Sequence, residues 1–340
     1  MRLAKRYWRW AGWLGGTILT LTILGIVALF AVIQHYTKDL PSVDQLAVYN
    51  PPVTTRLYAD DGKLLAEYAT QKRLFVPLTS IPKQVQHAFM SAEDRNFYQH
   101  QGVDFIGVVR AIKENIVNYG TGRSMVGGST ITQQVVKNFL LTSEKSFERK
   151  IKEAILAYRI SKVYGKDKIL ELYLNEIYLG QGTYGVAAAA LHYFNKSLDE
   201  LTTEEMALLA AMPKAPAYYD PSRNVKAATG RRNYVIKRML EDGYIDSKEA
   251  SRALATTIAL KDRDPTETAH ADYFAEEVRR QIASMYGADV LYKGGLFVKT
   301  TVDPEFQKHA DEALRTALRD YDRRHGFRGP LGKIDGIEDW

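Results

Sequence analysis

Glu93-Asp94-Arg95-Asn96-Phe97-Tyr98-Gln99-His100-Gln101-Gly102 is the stretch on which the reading of this chain turns. Two adjacent carboxylates open it, an aromatic residue and a histidine follow at helical spacing, and a glycine closes it. On a helix, Glu93, Phe97 and His100 share one face, because positions i, i+4 and i+7 align. A glutamate on a face shared with apolar and aromatic side chains is partly desolvated, which raises its pKa and suits it to general acid or base work. The same residues also fit a surface helix end with solvated acids and a glycine C-cap. The segments on either side decide between the two.

The chain has 340 residues, 46% hydrophobic and 25% charged, an ordinary globular composition sized for about two domains. It contains no cysteine, so disulfide frameworks and thiolate metal sites are excluded. Of the net charge of +6, four cations (Arg2, Lys5, Arg6 and Arg9) sit at the N-terminus. The remainder is nearly balanced, so no basic footprint for nucleic acid is expected on a folded domain. Those cations precede an uncharged run from Trp10 to Gln34. It exceeds the roughly 20 residues that span a bilayer, and it is longer than a signal-peptide core of about 7–15 residues. The pattern predicts a cytoplasmic tail at 1–9, an uncleaved anchor at 10–36 with the N-terminus inside, and an extracytoplasmic remainder.

Residues 37–54 read as a proline-bearing connector. Arg56-Leu57-Tyr58-Ala59 and Lys63 to Ala69 flank Asp60-Asp61-Gly62, a hairpin signal. From Gln84 to about Ala255 the pattern is helical, with candidates at 84–98, 104–118, 130–141, 146–163, 166–175, 184–193, 203–211 and 224–242. A boundary is expected at 261–268, followed by a helix at 272–285, a strand at 296–302 and a helix at 304–322. The expected class is mainly α with a small β-hairpin region.

Gly127-Gly128-Ser129-Thr130 leads into a helix on which Thr130 and Gln133 form a capping box. Thr130, Gln133, Gln134 and Lys137 cluster on one side, and Ile131, Val135 and Phe139 on another. Arg149 and Glu153 follow at i, i+4, either a surface pair or a guanidinium–carboxylate set for phosphate. Two matches are rejected. Gly180-Gln181-Gly182-Thr183-Tyr184-Gly185 fits GxGxxG but follows helical sequence rather than a strand. Gly122 to Ser129 resembles a P-loop, but Gly128 stands where its lysine belongs.

The ordered set EDRNFYQHQG, GGSTITQQVVKN, RKIKE and KDKILELYLNEIYLGQGTYGV resembles the family 51 peptidoglycan glycosyltransferase domain of class A penicillin-binding proteins. LLAAMPKAPAYYDP and Arg231-Arg232 continue the likeness, which covers about 37–260. The segment 261–340 resembles the linker into the transpeptidase half of such proteins. The transpeptidase motifs are absent: the only SxxK match is Ser80-Ile81-Pro82-Lys83, in the wrong half, and there is no KTG. A truncated bifunctional synthase without penicillin-binding activity of its own is therefore expected.

The resemblance implies a lysozyme-like fold behind one membrane helix, in a bacterial inner membrane with the catalytic domain periplasmic. It implies polymerisation of lipid II with inversion at C1 and release of undecaprenyl pyrophosphate. By position, Glu93 is the base on the acceptor hydroxyl and Glu153 the second essential carboxylate. Lys137, Arg149 and Lys150 would offset the pyrophosphate, and Ser129, Thr130, Gln133, Gln134 and Tyr178 would contact substrate, with Asp94 in support. His100 and Asn175 are read as structural. No cofactor is required; Mg2+ or Mn2+ at the pyrophosphate is admitted, but no ligand cluster for it is visible. The growing glycan strand, membrane lipid, lipoprotein activators of the outer membrane, other cell-wall synthesis proteins and moenomycin-type inhibitors are the expected partners. Ile106, Val108 and Val109, or Met125 and Val126, are candidates for lipid contact. A lysozyme-like hydrolase and a non-catalytic cell-wall scaffold are the competing functions.

Overall fold

The computed structural model describes residues 2–37, 40–46, 53–69, 72–118, 127–141, 146–261 and 269–326. Met125 and Val126, most of the P-loop-like stretch, the boundary at 262–268 and residues 327–340 lie outside them. The chain divides into two compact units: Met1–Pro51 with Arg73–Asp262, and Pro52–Lys72 with Arg263–Trp340.

The first unit is built from helices α1 (Arg2–Thr37), α2 (Lys83–Glu93), α3 (Phe105–Val117), α4 (Ile131–Leu140), α5 (Phe147–Val163), α6 (Lys166–Glu176), α7 (Val186–Phe194), α8 (Thr203–Ala211), α9 (Val225–Glu241) and α10 (Ser247–Ala255). Within α1, Leu19–Thr37 is long and apolar enough to cross a membrane. Its side chains Leu19, Leu21, Leu24, Val27 and Phe30 are exposed. The core forms where α2, α8 and α9 pack together and α4 packs on α5 and α6. Residues from Met206 to Met212 are all buried, so α8 beyond its acidic first turn is apolar all round, as a buried helix must be. Phe89, Ile131, Val135, Leu156, Ile160, Ile169 and Tyr173 are closed off from solvent in the same core. Each such aliphatic or aromatic side chain contributes about 1.5–3 kcal/mol relative to exposure.

Local chemistry sets the helix starts that matter for the cleft. Asp104 caps α3 by accepting from Gly107 N, Ser146 caps α5 by accepting from Arg149 N, and Thr130 with Gln133 forms the expected capping box on α4. The expected helix over 84–98 stops at Glu93 instead. Asp94 leaves the helical region (φ −156°, ψ 76°), and residues 95–99 form turns. Its carboxylate accepts from Ile131 N, the first residue of α4, at 3.0 Å. It also lies 2.9 and 3.0 Å from His100 Nε2. An anion at a helix N-terminus with a charge-assisted partner is favoured over another turn of α2. Glu93, Phe97 and His100 therefore do not share a helical face: Phe97 enters the core and His100 closes on Asp94.

Gly102 completes this turn with φ +89°, and its carbonyl accepts from Thr130 Oγ1 at 2.6 Å. A Cβ here would stand 2.3 Å from Ala157 O of α5. Gly102→Ala combines a left-handed backbone with a backbone clash and is expected to cost about 2–4 kcal/mol. A thermal melt in detergent that matched the wild type would contradict this.

Asn175 is structural, as expected. Its side chain accepts from Val76 N and donates to Val76 O and Glu171 O.

The second unit holds β1 (Thr55–Tyr58), β2 (Leu64–Tyr68), β3 (Phe297–Lys299), α11 (Asp272–Tyr286), α12 (Ala288–Lys293) and α13 (Pro304–His325). β1 and β2 form the expected hairpin, with Gly62 at φ +86° in the turn. β1 also pairs in parallel with β3, through Arg56↔Phe297, Leu57↔Val298 and Tyr58↔Lys299. By its contacts the hairpin groups with residues 263–340 in the second unit. Alternation and turn residues specify a hairpin locally but carry no signal for a strand more than two hundred residues away.

Candidate active site

Glu93 ends α2 at the wall of a cleft of about 870 Å³ in the first unit. From α4 come Gln133, Gln134 and Lys137, from α5 Lys150 and Glu153, and from α9 Ala227, Arg231 and Tyr234. Ser129 lies at the entrance to α4, and the segment after α8 supplies Pro213, Lys214, Tyr218 and Tyr219. Ala227, Arg231 and Tyr234 recur at i, i+4 and i+7, which is why α9 turns one face to the cleft.

Glu93 Oε2 accepts from Gln134 Nε2 at 2.7 Å, and Arg231 Nη2 stands 3.7 Å from Oε1. The side chain is 12% exposed. Burial raises its pKa above the ordinary glutamate value, opposed by the Gln134 hydrogen bond and the charges of Arg231 and Lys214. The result is a carboxylate of increased basicity held by one amide and one guanidinium, the form a general base requires. The guanidinium of Arg231 lies over the Tyr234 ring, 4.5 Å from its centroid.

A second cluster lies on α4 and α5. Glu153 is 1% exposed and receives Lys150 Nζ at 2.5 Å and Arg149 Nη1 at 3.5 Å. Lys150 Nζ also reaches Ser129 Oγ at 3.2 Å. Lys137 lines the same wall, and desolvation lowers its pKa, partly offset by Glu153. Two cations held by one buried carboxylate, with a third beside them, form a positive surface whose geometry is fixed before an anion arrives. Among the described residues no group of three or more His, Asp or Glu stands together to hold a metal, and Glu153 Oε1, 3.5 Å from Arg149 Nη1, accepts no hydrogen bond.

Seven of the expected site residues line the cleft: Glu93, Ser129, Gln133, Gln134, Lys137, Lys150 and Glu153. Arg149 is outside that lining and pairs with Glu153. The remaining three lie outside that lining. The Asp94 carboxylate is bonded to Ile131 N of α4 and to His100. Thr130 is 2% exposed, with its hydroxyl donating to Gly102 O and accepting from Gln133 N. Tyr178 is outside the cleft lining and packs on the Tyr184 ring, 5.0 Å between centroids. Gln133 faces the cleft, but its Oε1 is already bonded to Thr130 N.

The sequence reading missed Arg231, Lys214, Tyr218, Tyr219 and Tyr234. Arg231 carried a usable signal in its doublet: Arg232 is 1% exposed and donates to Thr256 O, so one arginine of the pair is structural and its neighbour points elsewhere. Lys214 sits in irregular chain, where no periodicity reports orientation.

A family described as Transglycosylase matches residues 61–240. Penicillin-binding protein 1A of Rickettsia bellii (strain RML369-C) is 53% identical over 324 residues, covering 95% of this chain and 41% of that protein. The protein of the same name from Neisseria cinerea is 44% identical over 321 residues, covering 94% of this chain and 40% of that protein. A crystal structure of penicillin-binding protein 1A from Haemophilus influenzae shares 32% identity and covers 85% of this chain and 33% of that one, with a TM-score of 0.48. The chain thus spans about 41% of the length of the Rickettsia relative.

Proposed function

The chain belongs to the transglycosylase family, and from that premise we propose that it polymerises lipid II into β-1,4-linked glycan. The observation that carries this reading is the pairing within one cleft of a buried, basic Glu93 with Lys137, Lys150 and Glu153, the last of which also holds Arg149 behind the wall. In the reaction, Glu93 takes the proton of the acceptor 4-hydroxyl as its oxygen attacks C1 of the lipid-linked chain. The C1–O bond to the pyrophosphate breaks, and its electron pair leaves with undecaprenyl pyrophosphate. Lys137, Arg149 and Lys150 stabilise the charge that develops there, an electrostatic role strengthened by preorganisation.

The apolar segment Leu19–Thr37 supports membrane anchoring, with the N-terminus cytoplasmic and the catalytic unit outside. Tethering at the surface where the polyprenyl tail resides raises the effective substrate concentration. On α3, Phe105, Ile106, Val109, Ile112 and Ile116 are all more than half exposed, which supports their contact with lipid. Lipoprotein activators and moenomycin-type inhibitors remain partners proposed from the family alone.

The cation set disfavours a hydrolase, since cleavage of a glycan has no pyrophosphate leaving group. Purified chain given lipid II in detergent is expected to yield polymer. Soluble fragments from sacculi with no polymer would favour the hydrolase, and tight partner binding with no turnover would favour a scaffold.

The pH dependence follows from the raised pKa of Glu93. A base must be ionised, so activity is lost as pH falls through its folded pKa, and the acid limb of kcat/KM lies above the ordinary glutamate range. Arg231→Gln removes a charge that favours the ionised form and moves that limb to higher pH. A limb unmoved in the variant would remove Arg231 from this role.

A further inference from the structure

The turn Gly180-Gln181-Gly182-Thr183-Tyr184-Gly185 has no part in the chemistry above. It links α6 to α7, and within it Gln181 holds φ +50° between Gly180 at +87° and Gly182 at +73°. A left-handed backbone disfavours a residue with a side chain, so a glutamine between two glycines calls for a compensating contact. Gln181 Nε2 donates to Asp220 Oδ2 at 2.5 Å and to Ser222 Oγ at 3.3 Å. Asp220 is 3% exposed. Its other oxygen accepts from Ser222 N at 2.9 Å and Ser222 Oγ at 2.7 Å. Its carbonyl accepts from Arg223 N and from Asn224 N, and Asn224 is the N-cap of α9.

Asp220 is thus the joint between two pieces of the cleft. Before it lies the segment that carries Lys214, Tyr218 and Tyr219 to the wall, and after it α9 carries Arg231 and Tyr234. The turn also packs closely on its surroundings: a Cβ on Gly180 would come within 2.8 Å of Tyr193 Oη and 3.7 Å of Pro216 O. We propose that Gln181 is a positioning residue, latched to Asp220, that holds the Lys214–Tyr219 wall and the start of α9 where they can grip the lipid-linked polyanionic substrate. This rests on the glycosyltransferase reading only for what the wall binds.

The full chain in detergent tests it with a reciprocal exchange. Gln181→Glu sets a carboxylate against Asp220 and breaks the latch. Adding Asp220→Asn restores it with donor and acceptor reversed, because the introduced amide still accepts from Ser222 and now donates to the introduced carboxylate. Gln181→Glu is expected to raise KM for lipid II about tenfold with kcat within about twofold, the size of one lost charge-assisted hydrogen bond. It also speeds hydrogen exchange at the amides of Tyr218, Tyr219, Arg223 and Asn224. The double variant returns both toward wild type. Wild-type KM and exchange in Gln181→Glu, or no recovery in the double variant, would overturn the proposal. The exchange measurement needs no turnover, so a chain inactive on lipid II would refute the glycosyltransferase reading while the latch is still decided.

Discussion

Glu93→Gln is expected to lower the rate of lipid II polymerisation by about 10²–10⁴-fold, the range for loss of a general base. Glutamine keeps the volume, and its amide oxygen can still accept from Gln134 Nε2, which now donates to Glu93 at 2.7 Å. The fold is expected to survive. Burial raises the Glu93 pKa, so its charged form disfavours folding at neutral pH, and a neutral replacement leaves stability unchanged or increased. The loss should therefore fall on kcat, with lipid II binding retained. Turnover of the variant at the wild-type rate would sink the assignment of Glu93 as the base.

The second large effect is expected at Glu153, which acts on substrate through its neighbours. Glu153→Gln removes the charge that holds Arg149 at 3.5 Å and Lys150 at 2.5 Å. Misplacing such groups by about 1 Å is enough to cost about 10²-fold in rate. Loss of the charge-assisted contacts is expected to cost about 1–3 kcal/mol in stability, limited because Lys150 is 47% exposed on its side chain. Arg149→Lys should fail to replace the arginine, since a lysine lacks the planar fork that meets a carboxylate and a phosphate together. A Glu153→Gln protein that melted lower but turned over normally would reduce Glu153 to a packing role.

The helical frame was legible because apolar periodicity, Thr130 with Gln133, and Asp104 report local structure that the packing then retains. The end of α2 was not. EDRNFYQHQG has helical spacing throughout, but Asp94 is drawn off by Ile131 N, a donor 37 residues further on that no local pattern announces. The same applies to the cleft. The acids and cations of α4 and α5 were readable through the family resemblance, since spacing alone left Arg149 and Glu153 as a surface pair or a phosphate set, whereas Lys214 and Tyr218 reach the wall through an irregular segment tied to a distant turn. Asp94 and Thr130 resemble substrate ligands in sequence because they adjoin Glu93 and the α4 entrance. Their polar atoms are consumed in fixing those two elements to each other, and the resulting order of Glu93 against Gln134 is their contribution.

The configuration of the new glycosidic bond tests the central claim most directly. A single displacement, with Glu93 as base and Glu153 engaged by Arg149 and Lys150 rather than free to attack, inverts C1. Nuclear magnetic resonance of polymer made by the purified chain from lipid II should show β-linkages, with one undecaprenyl pyrophosphate released per bond. Retained configuration, or a glycosyl group trapped on Glu93 or Glu153, would require a double displacement and would contradict the account.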